Sequence, residues 1–346
     1  MQFGLFTWFN PLPGQSEAES FAWGFQEIET AEAMGWDTVW LPQQRFSGSL
    51  ILSASPFVMA TAAVARIKRI KIGLAIHTLG LNTGKNEDPR VSRYAALWPS
   101  DPLETAEAVA TIDQVSRGRF IYGAGGYTAG DPQRQRNFYE FLEVMQLAWK
   151  DGPFPGYEGE FYRHPPNPGV APKPYSRRIP ISVAADNQKS FPKIGEKGYQ
   201  LLIGAGTSHN PRGESAMIED VKRYRESWKA AGHPGEPQIT VRIPTHVAET
   251  KERALQDVEE TMKLAWERAL NKMLPQAAPG TPSAQSAERM NLFGTAEEAI
   301  ERIHRLRETM GATEIMFETN YWGRIPTERV LNSMRLITEK VIPKFA

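Results

Sequence analysis

The run DPLETAEAVATIDQVSRGRFIYGAGG, Asp101 to Gly126, holds the repeating unit of the fold. Asp101 can cap a helix, Pro102 suits its first position because the missing N–H has no partner there anyway, and Glu104 supplies the third-residue carboxylate of a capping-box-like pattern. Leu103, Ala106, Val109, Ala110 and Ile112 recur at helical spacing, so the helix predicted over Pro102 to Ser116 lays that face on a sheet. Gly118 then turns the chain directly into a β-rich run, Arg119 to Ala124. A helix that feeds a strand through so short a turn is one half of an alternating α/β repeat.

Working outward, the same alternation reaches both ends of the chain. Strands are expected at Gln2 to Trp8, Thr38 to Leu41, Lys71 to His77, Arg119 to Ala124, Ile179 to Val183, Gln200 to Ile203, Ile239 to Val247 and Glu314 to Glu318. Helices are expected at Ser16 to Met34, Ser55 to Ala65, Pro102 to Ser116, Arg134 to Lys150, Ser190 to Lys197, Arg212 to Ala231, Lys251 to Asn271 and Thr295 to Met310. Eight strands, each followed by a helix, predict an α/β fold of the (β/α)8 TIM-barrel type, built as one domain over 1–346. A doubly wound open sheet also explains the alternation, but eight strands exceed its commoner six. The length beyond about 250 residues falls in three insertions, about 81–99, 152–174 and 272–290. The second surrounds a YEGEFY hairpin; the third is rich in Ala, Pro, Ser and Gly, cannot bury a core and is a candidate lid.

Composition removes whole classes of chemistry. The 346 residues carry 40 Lys and Arg against 40 Asp and Glu, which leaves no net charge to attract nucleic acid. Zero cysteine excludes disulfides, thiolate nucleophiles and Cys-ligated metal, so redox work needs a borrowed cofactor. The six histidines show no ligand spacing with carboxylates, and no metal site is expected. No apolar run reaches the roughly 18 residues of a membrane span, and the N-terminus MQFGLFTWFNPLPG lacks a leader's basic region and cleavage site. The expected address is cytoplasmic, with no membrane partner.

Glu104 to Gly126 resembles the A-E-x-x-A-x-x-D-x-x-S-x-G-R-x-x-x-G-x-G stretch of the bacterial luciferase-like, flavin-dependent monooxygenases. Further segments agree in order: FGLFTWF, GWDTVWLP, IKIGLAIHTLGL, YEGEFY, IPISVAADNQKS and the terminal FGTAEEAIERI with VIPKF. The resemblance spans essentially the whole chain. It implies a TIM barrel that uses reduced FMN and oxygen, with a separate NAD(P)H:flavin reductase as partner and a homodimeric state.

Barrel enzymes bind ligands at the C-terminal ends of their strands, so Phe6, Gln43, Gln44, His77, Gly123, Gly125 and Gly126 should converge on one mouth. The glycines of GAGG admit two readings, a tight turn that only glycine tolerates or close approach of a cofactor. ADNQKS opens a short helix, where free N–H groups with Asn187, Lys189 and Ser190 can hold a phosphate; equally, Asp186 or Asn187 can cap that helix. The resemblance puts the flavin phosphate there, and maps a non-proline cis peptide under the isoalloxazine onto Ala75 and Ile76. His77, beside it, is either a packed core residue or a hydrogen-bond donor and proton shuttle.

Relatives carry a Glu-His-His-Phe-like sequence after the second strand; here stand Gln43, Gln44, Arg45 and Phe46. Gln44 can hydrogen-bond but cannot be a base, so the base has moved to His77 or none is needed. Gly126 replaces an arginine near the phosphate, and Arg45 or Lys189 can supply that charge. Trp8, Arg45 and Trp322 are the substrate-pocket candidates, although most barrel aromatics are core. The expected reaction traps oxygen at the flavin C4a position and oxidises a small, largely apolar substrate. A deazaflavin-dependent dehydrogenase and a non-catalytic flavin-binding protein are the alternatives.

Overall fold

The computed structural model describes residues 1–45, 51–79, 100–125, 131–185, 187–204, 214–265, 267 and 291–346. Eight strands run parallel: β1 Gln2–Phe6, β2 Thr38–Leu41, β3 Lys71–Leu74, β4 Phe120–Gly125, β5 Ile181–Ala184, β6 Gln200–Gly204, β7 Ile239–Val247 and β8 Glu314–Glu318. Each pairs with the next, and β8 returns to β1 in the register Gln2↔Glu314 to Phe6↔Glu318, so the sheet closes into a (β/α)8 barrel. All eight expected strands are present.

Helices α1 Glu17–Ala33, α2 Pro56–Arg66, α3 Pro102–Ser116, α4 Pro132–Ala148, α5 Ser190–Glu196 and α6 Glu214–Ala230 follow the first six strands. Between β7 and β8 lie α7 Lys251–Asp257, α8 Glu259–Ala265 and α9 Ala296–Met310, and α10 Thr327–Leu336 follows β8. The expected helix Lys251 to Asn271 is thus broken after Asp257. The helix that completes the eighth unit is α10, not the Thr295 to Met310 helix; it buries Val330, Met334 and Leu336. The insertions 81–99 and 272–290 lie outside the described residues. The 152–174 segment forms the expected hairpin, Tyr157–Glu158 against Arg163–His164, and clasps the outside of α4: Glu140 accepts the N–H groups of Phe161 and Tyr162, and Tyr162 donates to Asn137 at 2.7 Å.

The Asp101–Gly126 segment folds as its punctuation dictates. Asp101 Oδ1 accepts the N–H groups of Leu103 and Glu104 at 2.8 and 3.0 Å, and the chain leaves α3 through left-handed Arg117 and Gly118, at φ 56° and 79°. The reciprocal capping box expected at Glu104 is found instead at α1, from Ser16 and Glu19, and at α9, from Thr295 and Glu298.

Strand alternation divides the core into two clusters. Leu5, Val39, Ile72, Tyr122, Leu201, Ile243 and Phe317 face the helices, whereas Phe6, Trp40, Ile121, Leu202 and Met316 fill the barrel. Below the inner cluster the fully buried Glu314 accepts hydrogen bonds from Thr38, from Trp40 Nε1 at 2.9 Å and from Thr240 at 2.8 Å. Gly4 makes room for it, since a Cβ there would stand 2.9 Å from Glu314 Oε1 and 2.2 Å from Thr38 Oγ1. Burial raises the Glu314 carboxyl above its ordinary value despite those bonds. The N-terminal end of the barrel is therefore plugged, and the C-terminal end remains as the place for a ligand.

Candidate active site

At the C-terminal end, Trp8, Ala75, Ile76 and Ala184 pack on the inner cluster above Phe6. The wall between β3 and β4 has an irregular geometry that the sequence partly foretells. Simple alternation from Gly73 would point Ala75 and His77 inward. Instead β3 is interrupted after Leu74, the Ala75–Ile76 peptide is cis, and both side chains face the interior. The chain resumes at His77–Thr78, paired with Ala124 and Gly125, with its parity reversed.

That reversal changes the role assigned to His77. It is 3 % exposed, packs on Phe57 with ring centroids 4.7 Å apart, and pairs through Nδ1 with the Tyr122 hydroxyl at 2.9 Å. Tyr122 belongs to the cluster between barrel and helices, and burial raises its hydroxyl further above the ordinary tyrosine value. Burial, followed by the charge of Arg45, lowers His77 to about 3. His77 is a neutral member of the wall and is not poised to shuttle protons at neutral pH. Gln43, also expected at the mouth, is used inside the wall: its Oε1 accepts the Thr78 N–H at 2.7 Å and its Nε2 donates to the Ala54 carbonyl at 3.4 Å.

The glycines of GAGG follow neither sequence reading completely. Gly123 and Gly125 sit within β4, not in a turn, and what approaches them closely is the neighbouring strand. A Cβ on Gly123 would lie 1.5 Å from the Leu74 carbonyl oxygen, and one on Gly125 would lie 1.9 Å from Ile76 Cδ1. They accept the displaced end of β3 and so let Ala75 and Ile76 face the mouth. Gly126 lies outside the described residues.

Two charged residues that sequence reasoning missed complete the mouth. Arg242 on β7 donates through Nε and Nη2 to Glu318 Oε2 on β8, at 3.0 and 2.8 Å, and Trp8 Nε1 donates to Glu318 Oε1. The guanidinium carbon stands 4.0 Å from the Phe6 ring centroid and 4.9 Å from that of Trp8, while Trp8 meets Phe6 edge-on at 5.0 Å. The Glu318 side chain is 1 % exposed and that of Arg242 13 %. A signal existed in the sequence: Arg242 and Glu318 occupy inward positions of strands otherwise buried on both faces, where a charge persists only if paired.

The remaining candidates separate. Gln44 and Arg45 are exposed beyond β2. Trp322 packs edge-on to Tyr321 and against the outer cluster, so it is not part of the inner group. After β5, Asn187 Oδ1 accepts the Lys189 N–H at 2.9 Å in the turn ahead of α5, whose N-cap Lys189 has no side-chain cap bond, so Asn187 does not cap the helix; Ser190 is buried, and Asp186 lies outside the described residues. Thus Phe6, Trp8, Ala75, Ile76, Gly123 and Gly125 come together, with Lys189 and Ser190 at the next strand end.

The sequence profile described as luciferase-like monooxygenase matches residues 1–83 and 94–314. The chain belongs to the luciferase-like monooxygenase family. As a family member it is an oxidoreductase of the monooxygenase class, and a flavin-type cofactor is the one its mouth must suit. A limonene 1,2-monooxygenase from Rhodococcus erythropolis is 28 % identical over 92 % of this chain and 80 % of its own. Two solved structures share the fold. The oxygenating constituent of 3,6-diketocamphane monooxygenase from Pseudomonas putida, a type II Baeyer–Villiger enzyme in complex with FMN, has a TM-score of 0.77 at 21 % identity, covering 99 % of this chain and 98 % of its own. An F420-dependent secondary alcohol dehydrogenase with an F420–acetone adduct has a TM-score of 0.70 at 17 % identity, covering 100 % and 99 %.

Proposed function

We propose that this chain is the oxygenase of a two-component system, taking reduced FMN from a separate NAD(P)H:flavin reductase and using oxygen to oxidise a small, neutral, largely apolar substrate. The observation that carries the reading is the composition of the mouth: an apolar wall of Ala75, Ile76, Ala184, Phe6 and Trp8 around a self-neutralised Arg242–Glu318 pair. A planar tricyclic ring needs a flat apolar face, and the small side chains at Ala75 and Ala184 favour one beside Ile76, which Gly125 lets lie close on β4. Asn187, Lys189 and Ser190 are the groups to hold the phosphate, with Arg45 as a further cation.

Bound there, reduced flavin supplies the electrons that activate oxygen. The chain's own part is to bind, orient and exclude water. Phe6, Trp8 and Ile76 present no group that would quench a reactive oxygen species by protonation, and the neutral His77 stays behind the wall. Gln44 is the exposed amide able to donate a hydrogen bond at the rim; no base is required of it. Limonene, a hydrocarbon, and diketocamphane, a hydrocarbon cage with two ketones, in the relatives' names are both small, neutral and largely apolar, in keeping with this pocket.

The test is anaerobic titration of the protein with reduced FMN and, separately, reduced F420, followed by rapid mixing with oxygen. The proposal expects reduced FMN to bind more tightly and to be oxidised on the protein in two separable phases. Preference for F420, with no effect of oxygen, would support the dehydrogenase reading that the F420 enzyme's shared fold keeps in view.

A further inference from the structure

The ladder between β1 and β8 ends at the pair Phe6↔Glu318. One residue further on each strand stand Thr7 and Thr319, both facing outward and 4 % and 0 % exposed. Between them, from helix α1, comes the carboxyl of Glu27, itself 1 % exposed. Thr7 Oγ1 donates to Glu27 Oε2 at 2.8 Å, and Thr319 Oγ1 donates to Glu27 Oε1. Where backbone pairing stops, one side chain supplies the next rung.

The residues on either side of those threonines form the mouth. Thr7 lies between Phe6 and Trp8, and Thr319 follows Glu318 directly. Trp8 and Glu318 are joined to each other across the same gap by the indole N–H. An outward clamp and an inward bond therefore hold the same two chain ends. We propose that Glu27 is a positioning residue of the active site, fixing from outside the barrel wall the pose in which Trp8 and Glu318 face the mouth. The role rests on the oxygenase reading only for its effect on flavin.

The chemistry of the clamp fits this role better than that of a packing residue. A carboxyl buried without a cation is costly, and an apolar side chain would fill the space at less cost. No charged group of β1, β8 or α1 contributes to its titration: burial raises Glu27 to about 7, against the two threonine bonds that lower it. An ionised Glu27 accepts from both hydroxyls; a protonated one donates to one and accepts from the other. The clamp persists through its titration, but one hydroxyl proton turns round and a buried charge appears next to the strand that carries Trp8.

The experiment uses full-length protein labelled with fluorotryptophan, the Trp8 resonance being assigned by Trp8→Phe. Glu27→Leu removes both bonds at similar volume, and Glu27→Gln restores an acceptor and a donor. Thr7→Val and Thr319→Val remove one bond each and serve if Glu27→Leu does not fold. The expected result is that the Trp8 resonance shifts or broadens in Glu27→Leu and in the threonine variants, recovers in Glu27→Gln, and that remote Trp149 does not move. In the wild type it should titrate near pH 7 and lose that titration in Glu27→Gln, which separates Glu27 from Glu318 and Arg242, the charged groups facing Trp8 on its inner side. Reduced-FMN affinity should fall several-fold in Glu27→Leu. An unmoved Trp8 resonance in folded variants overturns the proposal. If no variant, nor the wild type, binds reduced FMN while Trp8 still follows Glu27, the flavin reading fails and the positioning role stands.

Discussion

Two glycines on one strand, Gly123 and Gly125, should respond differently to the same substitution. A Cβ on Gly123 meets backbone, 1.5 Å from the Leu74 oxygen and 2.6 Å from its carbonyl carbon. No rotamer change relieves that contact, so β3 must move away from β4, and Gly123→Ala should cost at least about 3 kcal/mol, the upper end of ordinary overpacking. A Cβ on Gly125 meets the far end of a side chain, 1.9 Å from Ile76 Cδ1, with Cγ1 at 3.2 Å and Ala184 Cβ at 3.6 Å. Gly125→Ala alone should cost about 1–3 kcal/mol. Ile76→Val removes the clashing methyl and by itself should cost about 0.5–1.5 kcal/mol. The double variant should then fall short of the sum of the singles by about 1–2 kcal/mol, because the clash and its relief share one atom. Urea unfolding, compared through midpoints at constant slope, measures all four. Equal costs at the two glycines, or an additive Gly125→Ala/Ile76→Val pair, would refute the close packing of the β3 end on β4.

Three further outcomes follow from the wall and the mouth. Arg242→Met leaves Glu318 buried with, among the described residues, the Trp8 donor, and should cost about 3–5 kcal/mol, with much of it recovered in Arg242→Met/Glu318→Gln; an additive double variant would contradict a true pair. Glu27 is raised from 4.5 to about 7, so between those values the folded chain holds a proton the unfolded chain has released. Its stabilisation is present below about pH 4.5 and lost as pH rises through about 7, in all about 3 kcal/mol at about 1.4 per unit. Glu27→Gln should flatten that part of the stability–pH curve, and an unchanged slope would count against it. His77→Gln should leave the pH profile of turnover unchanged between about pH 5 and 8, since the group is neutral throughout; loss of a limb near 6.5 would return His77 to the chemistry.

The barrel was legible because its information is local. The cap at Asp101 and the turn at Gly118 fix one α–β unit without reference to anything distant, and short β-rich runs between the helices mark the strands. Helix α10 escaped notice because it begins behind Pro326 with no side-chain cap, and the break after Asp257 carries no glycine or proline to announce it. The site was half legible. Phe6 and Trp8 are expected at the mouth from their place at a strand end and the Ala75–Ile76 step from the family resemblance; in the structure all four belong to or pack on the inner cluster. His77 was misplaced because counting by twos fails where β3 is interrupted, and only the crowding at Gly123 and Gly125 hints at that. Arg242, Glu318 and Glu27 depend on partners up to 310 residues away in sequence, which no window along the chain reveals.

Oxygen transfer to substrate is measured isotopically. Protein charged anaerobically with reduced FMN is mixed with labelled dioxygen and a panel of small cyclic alkenes and ketones, and products are weighed by mass spectrometry. Each product should carry one labelled oxygen atom, formed only when reduced FMN is supplied and diminished in Trp8→Ala. Oxidation without label, supported by F420 and indifferent to oxygen, would contradict it.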